Sequence, residues 1–532
     1  MSAPEVQPSQ GSSSARTIGL GAIWNVGAYL LPQVMTLALS VLVARTLGPT
    51  EQGVQSYLMF IAMTVGTIFG LGLPSAVEQA VSRYVGEGRP ALVRAFGHWA
   101  VRSTAIPAVL SFVTVWGIGQ LQYTEWAYAW VAAAVAGAMV TTHAVVAQGL
   151  NGLHEFRTPS GIGVSCQLVA AFGCVFVLLT GGGVAEFVAV QAAGMVASAV
   201  LTMSAFLRHL PRAGETGPGE VQPDRPMLRE ASHAALRFAT ISGVVVLLDT
   251  IVARRSEFVF LALFHHDRPT EIAFYSVAFA AAIAVAQVPA ALVSVALPVV
   301  SRLIASGDHA RVRTGYHSAQ RLLLMLSAPA AGLLLGCGGA LVLLAYGHEY
   351  EKSAHLLLIA TIAPVLFGPI GSLASASLLG SGVPRAAVRA QLVAATVTVV
   401  ADVALIWPFA SYGAAVAGGL GILAGTASLM HQARRRLEVP AVGAEVWTKV
   451  VLTIVAAALP GALLTLVVGS HELVVLLVGG VGGLICVGLT WTIIRPLTGD
   501  HLAMISAVVS RLPARGRRVL ESFVSYEGRR RG

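Results

Sequence analysis

The stretch LLDTIVARRSEFVF, residues 247–260, places two acids and two guanidinium groups inside an otherwise apolar run. Arg254 and Arg255 are adjacent, and guanidinium forks match the oxygens of a phosphate, so one reading is a seat for an anion in a central cavity. Asp249 and Glu257 flank them. Glu257 follows Arg254 by three residues, a spacing at which side chains meet on one helical face. A second reading is therefore an intramembrane salt bridge among Asp249, Arg254 and Glu257 that only joins helices. Asp402 is the other acid placed deep in an apolar run. Each such charge costs about 2.5–3.5 kcal/mol at a membrane-helix centre, so these side chains should face protein or water.

Lesser polar groups have plainer readings. Asn25, Pro32 and Gln33 could form a bend and a polar lining, although interhelical hydrogen bonds are common in any bundle. His143 and Gln148 read as satisfied interior groups, and GGVGG at 479–483 as a site of close helix contact. His265 and His266 lack HExxH spacing, which argues against a metal. Cys166, Cys174, Cys337 and Cys486 lie in apolar runs without a CxxC pair and read as small core residues. Lys352 and Lys449, the only lysines, close no GxxxxGK[ST] loop, and no DxD pair is present. The expectation is no nucleotide engine, no cofactor and no enzyme activity; transport would be secondary or partner-driven. A membrane glycosyltransferase or polymerase is the alternative.

The elements that must position these groups follow from composition. The 532 residues are 56% hydrophobic and 11% charged, with mean hydropathy +0.76, outside the range of water-soluble globules of this length. The net charge of +9 resides in Arg residues between apolar runs, with no aromatic-interleaved patch, which favours a membrane surface over nucleic acid. An all-α polytopic membrane protein is expected, with about fourteen spans of ~20 apolar residues. They cover 18–44, 54–77, 95–118, 126–148, 158–180, 185–207, 236–263, 272–298, 320–346, 354–379, 386–408, 412–431, 448–469 and 473–494. The N-terminal segment lacks a positive cluster and a cleavage pattern, so the first run is expected to stay as a helix.

Lys and Arg fix orientation. With the N-terminus inside, nearly all of the 34 basic residues fall on the cytoplasmic side, and only Arg45, Arg268 and Lys352 lie on the other. SRYVGEGRPALVR at 82–94 and SRLIASGDHARVR at 301–313 agree at six of thirteen positions, and PTE at 49–51 recurs at 269–271. Both phrases follow even-numbered spans. The predicted organisation is a disordered N-terminus (1–17), a six-helix N-lobe (18–207), a cytoplasmic linker (208–235), a second six-helix lobe of like orientation (236–431), two further helices (432–494) and a basic cytoplasmic tail (495–532). Parallel repeats of this kind place substrate at their interface near mid-depth.

At VARTLGPTEQGVQSY (43–57) and GLGLPSAVEQAVSRYVGEG (70–88) the chain resembles the polysaccharide flippases of the multidrug/oligosaccharidyl-lipid/polysaccharide exporter superfamily. GLNGLHEFR (149–157), ARRSEFVFLALF and AFYSVAFA (273–280) are similar to that family as well. The resemblance implies two pseudo-symmetric lobes around a cationic cavity in a bacterial plasma membrane protein with both termini cytoplasmic. It implies flipping of undecaprenyl-diphosphate-linked glycan to the outer leaflet. On this sequence the cavity maps to Arg254 and Arg255, with Arg45 at the outer end and Asn25 as a polar lining. Asp249, Glu257 and Asp402 are the candidates for ion coupling or salt bridges. Implied partners are the lipid-linked substrate, membrane lipids and glycan polymerases or glycosyltransferases, around a monomer. Lipid II flippases and small-molecule antiporters of the superfamily remain alternatives.

Overall fold

The computed structural model describes residues 11–122, 126–211, 225–253, 256–293, 309–381, 384–439, 441–468 and 471–494. Among these the chain is helical, with no strand. The protein is an all-α, multi-pass membrane protein: among the described residues, twelve helices are long and apolar enough to cross a bilayer.

Two of the twelve are hairpins. The first, α1 (Gly11–Gly70), leaves helical geometry at Gly48 (φ 78°, ψ 177°), a conformation open to glycine, with Pro49 behind it. Gln52 Nε2 then reaches Ser40 Oγ at 2.9 Å. Twelve residues of straight helix would separate the two by about 18 Å, so the chain has reversed. The same happens in the 54-residue helix Pro384–Leu437, which departs from helical geometry at Ala410, two residues after Pro408. A Cβ on Gly425, beyond that break, would lie 2.9 Å from Cβ of Ala394, before it. Split at these points, the twelve helices make the fourteen crossings expected from the sequence.

In chain order the remaining elements are α2 (Leu73–Gly86), α3 (Pro90–Ser103), α4 (Ala105–Leu121), α5 (Ala127–Gly152), α6 (Arg157–Leu179), α7 (Val184–His209), α8 (Arg225–Ala253), α9 (Glu257–Phe264), α10 (Pro269–Val293) and α11 (His309–Tyr346). After them come α12 (Glu351–Ile362), a π turn at Ala363–Phe367, α13 (Gly368–Gly380), the hairpin α14 (Pro384–Leu437) and α15 (Ala444–Val468). A second π turn (Val475–Gly479) leads into α16 (Gly480–Ile494). The second expected span is not one continuous helix. It breaks at Leu71 (φ 40°) and Gly72 (φ 73°), where GLGLP supplies two glycines and a proline that starts α2. The break lets Gly72 seat against α8, where a Cβ would fall 2.7 Å from the carbonyl of Ala239.

The packing is that of a bundle in lipid. Val169, Phe172, Phe176 and Leu179 form an exposed apolar stripe along α6, which in a membrane faces acyl chains. Inside, α5 packs on α1, α2, α4 and α7, and α14 packs on α8, α9, α10, α12 and α13. The α15 and α16 pair lies against α11, with Gly483 of the GGVGG stretch pressed onto the backbone of Ala457. All four cysteines are free.

The repeat marker PTE opens the second arm of α1 in one copy and α10 in the other. These copies touch: a Cβ on Gly53 would lie 2.0 Å from the Pro269 carbonyl oxygen and 3.5 Å from the amide nitrogen of Ala273. Gly53 and Ala273 occupy the same repeat position, and self-contact at equivalent positions is what a local two-fold relation demands. Turns that alternation assigns to one side also gather at one end. Arg45 reaches Ala345 and Leu344, Lys352 reaches Glu271, and His348 Nε2 lies 3.5 Å from Glu472. In the other repeat phrase, residues 301–308 lie outside the described residues. So do residues 212–224 of the expected linker, residues 1–10 and the basic tail.

Candidate functional site

The deepest charged groups cluster where α9 runs along α14. Asp402, in the first arm of α14, is completely buried. Ser256, just before α9, donates its hydroxyl to Oδ2 of Asp402. The other carboxylate oxygen, Oδ1, is buried and accepts no hydrogen bond among the described residues. Farther along, His265 at the end of α9 lies with Nε2 3.0 Å from the carbonyl of Ile406. The seventh crossing is thereby tied at two points to the eleventh.

Glu257, the first residue of α9, is 1% exposed. Its Oε1 faces Gly418 on the second arm of α14: a Cβ there would lie 2.4 Å from that oxygen and 3.3 Å from the hydroxyl of Tyr275 on α10. The carboxylate and the phenol thus converge on bare backbone. A carboxylate in apolar surroundings requires a counter-charge, a proton or hydrogen-bond donors, and Ser256 supplies one such donor to Asp402.

The other members of the predicted set are placed as follows. Arg254 and Arg255 lie outside the described residues, between Ala253 and Ser256. Asn25 falls within α1 and Asp249 within α8, and in both cases the side chain lies outside what is described. Arg45 is an exposed tie: Nε and Nη2 donate to the carbonyls of Ala345 and Leu344, at 2.8 and 2.6 Å. Those carbonyls end α11 and have no partner within the helix. Asp402 and Glu257 are therefore brought near one helix hairpin, while Arg45 sits apart from them at the end of the bundle.

At that same end lies a second polar constellation. Gln52, buried between the arms of the first hairpin, donates to Ser40 and accepts from the hydroxyl of Tyr350. Tyr346 donates to Ser40 Oγ at 3.3 Å. Glu271 accepts from Lys352 Nζ and from the Ser411 hydroxyl. In the interior elsewhere, His143 Nδ1 lies 3.2 Å from the Ser198 hydroxyl and Asn151 donates to Gln148, as plain packing groups do.

A family model for polysaccharide biosynthesis proteins matches residues 18–304, more than half of the chain. The chain belongs to the polysaccharide biosynthesis protein family. That family lies within the multidrug/oligosaccharidyl-lipid/polysaccharide exporter superfamily, as the resemblance implied. A solved structure of the lipid II flippase MurJ in an inward closed conformation superposes with TM-score 0.66 at 15% identity, over 88% of this chain and 98% of that one. An inward-facing multidrug resistance MATE transporter gives TM-score 0.62 at 14% identity, over 76% and 94%. The Vibrio cholerae MATE transporter VcmN gives 0.55 at 16%, over 80% and 98%. These likenesses establish the fold. No curated protein sequence matches the chain.

Several residues of this polysaccharide biosynthesis protein escaped the sequence reading. Ser256 sits beside the flagged arginines, but a serine carries no signal until Asp402 is seen opposite. Glu271 carries a signal only as part of the repeat marker, and Lys352 only as one of two lysines. Their scarcity was the available clue, because isolated opposite charges on one side of a lipid-solvated protein have few other partners. Gln52, Tyr346 and Tyr350 gave none.

Proposed function

We propose that the protein flips undecaprenyl-diphosphate-linked oligosaccharide or polysaccharide repeat units from the inner to the outer leaflet of a bacterial plasma membrane. The observation that carries this reading is membership of the polysaccharide biosynthesis protein family, on a fold shared with a lipid II flippase. The glycan and diphosphate cannot enter hydrocarbon, since they would lose water without replacement. A chamber between two six-helix lobes supplies replacement partners while the polyprenyl tail stays in lipid, and rocking of the lobes exposes it alternately to each side. In this reading Arg254 and Arg255 hold the diphosphate, with Asn25 in the lining, and Arg45 acts at the outer mouth. Both termini are cytoplasmic, on the side that carries nearly all the Lys and Arg.

The buried acids support a role in resetting the transporter. Asp402 retains an unpartnered oxygen among the described residues, and Glu257 lies one residue from its Ser256 donor, so uptake of a proton or metal cation there would be coupled to the α9–α14 packing. An inside-negative potential adds ~2.3 kcal/mol per charge per 100 mV to outward movement of the diphosphate. The test is depletion of the protein in cells together with reconstitution in vesicles. Lipid-linked repeat units should accumulate on the cytoplasmic leaflet on depletion, and purified protein should move them between leaflets. Unchanged delivery of repeat units to the cell surface without the protein would falsify the assignment.

A further inference from the structure

We infer that the contact between the turn at 45–53 and the turn at 344–352 is a hydrogen-bonded latch that holds the outer end of the protein shut. Its outward direction and its place in a transport cycle rest on the function proposed above; the contact itself does not. Three residues of the first hairpin engage the C-terminal turn of α11 and the start of α12. Arg45 caps the last carbonyls of α11 through Ala345 and Leu344. The Tyr350 hydroxyl donates to the side-chain oxygen of Gln52, and the Tyr346 hydroxyl donates to Ser40. Gln52 in turn donates to Ser40 Oγ at 2.9 Å and, more weakly, to its carbonyl at 3.4 Å.

The composition of this contact is what makes it a latch rather than permanent core. Gln52, Tyr346 and Tyr350 are almost entirely buried, at 1%, 5% and 0% exposure. An apolar seam of the same shape would hold the turns together without directional bonds. Here every polar atom named is satisfied only by a group from the other turn or by its own hairpin. Separation therefore exposes donors and acceptors that water can take over, so the open state loses little hydrogen bonding. The aromatic rings give a surface that stays packed on its own side: Tyr346 and Tyr350 have centroids 5.5 Å apart, and Phe274 of α10 meets Tyr350 edge-on at 6.0 Å. Opening at this end needs the bonds from Gln52, Ser40 and Arg45 to break and the close seat of Gly53 on the start of α10 to part, while nothing within either ring cluster has to repack.

The test reads accessibility and does not require a substrate. In a background with all four cysteines replaced, Val54→Cys provides a thiol at a position that is 2% exposed beside the seam. A membrane-impermeant maleimide is added to the outside of spheroplasts, and separately to inside-out vesicles. Labelling from outside should be slow, and roughly tenfold or more faster when Tyr350→Phe is combined with Gln52→Leu, as expected for loss of two to three buried hydrogen bonds. Tyr350→Phe alone keeps the ring and its packing, so it reports the hydroxyl even if the double variant misfolds, and should give a smaller increase in the same direction. Unchanged labelling in Tyr350→Phe and in a folded double variant overturns the latch. Labelling that rises only from the cytoplasmic side overturns its outward placement. A latch that responds as expected in a protein that moves no lipid-linked glycan would leave the latch standing and remove the proposed substrate.

Discussion

Lys352 Nζ lies 2.7 Å from each carboxylate oxygen of Glu271, across 81 positions of sequence. The pair joins the first turn of α10 to the first turn of α12. Ser411, directly after the break at Ala410, adds its hydroxyl at 2.6 Å and its backbone N–H at 3.3 Å to the same carboxylate. The rings of Phe274 and Tyr412 stand 5.8 and 5.4 Å from the ammonium, so the cation is held by a charge and two π faces. Three crossings meet on one acid.

Removing either partner leaves the other charge largely buried without its counter-ion. Glu271→Gln and Lys352→Met should each lower stability by about 3 kcal/mol, and the double variant should lose clearly less than the sum. Thermal unfolding of the four proteins in detergent gives the coupling directly. Strict additivity would mean that the two side chains do not depend on each other.

The repeat supplies a contrasting case. Glu51 is the counterpart of Glu271 in the PTE marker. Oε2 of Glu51 is buried and accepts no hydrogen bond among the described residues. Glu51→Gln should therefore change stability by less than about 1 kcal/mol, or raise it, under conditions in which Glu271→Gln is harmful. Equal losses in a side-by-side melting experiment would show that Glu51 has acquired a counter-charge of its own.

These contrasts also mark what could be read from the sequence. Spans and their number were legible because lipid imposes one rule on every segment: about 20 apolar residues. PTE at 49–51 and 269–271 marks a repeat register, and Gly53, two residues past the first copy, packs on Pro269 at the start of the second. Helix interruptions were legible only where punctuation is dense. GLGLP signalled the break at Leu71 and Gly72, whereas the π turn at Ala363–Phe367 had little beyond Pro364 to announce it. The site was half legible. Asp402 and Glu257 stood out as charges at depth, but Ser256 opposite Asp402 and Gly418 opposite Glu257 depend on which helices face each other, and periodicity does not contain that information.

The Glu257 contact makes a prediction of its own. A Cβ on Gly418 would sit 2.4 Å from Glu257 Oε1, so Gly418→Ala must displace the carboxylate from its seat on the second arm of α14. Stability should fall by about 1–3 kcal/mol. In a Glu257→Ala background the same substitution should cost much less, since the obstructing group is gone. If Gly418→Ala is equally harmful in both backgrounds, the carboxylate does not occupy that face of α14.

The seam between repeats can be tested with a pair of single-methyl exchanges. At Gly53 the atom that a Cβ would meet, at 2.0 Å, is the backbone carbonyl oxygen of Pro269. No side-chain rotation can relieve that contact; the second arm of α1 and the start of α10 would have to move apart. Gly53→Ala should therefore lose more than about 2 kcal/mol despite alanine's better helix propensity. The reverse change at the equivalent position, Ala273→Gly, removes a buried methyl and adds backbone freedom, for a loss of about 1–2 kcal/mol. The decisive comparison is Gly53→Ala combined with Ala273→Gly. If the clash is with backbone, as the geometry requires, the second change does not rescue the first, and the double variant is the least stable of the set in thermal unfolding. Rescue would mean that the helices meet through the Ala273 methyl, and that the two repeats approach each other less closely than the contact at Pro269 requires.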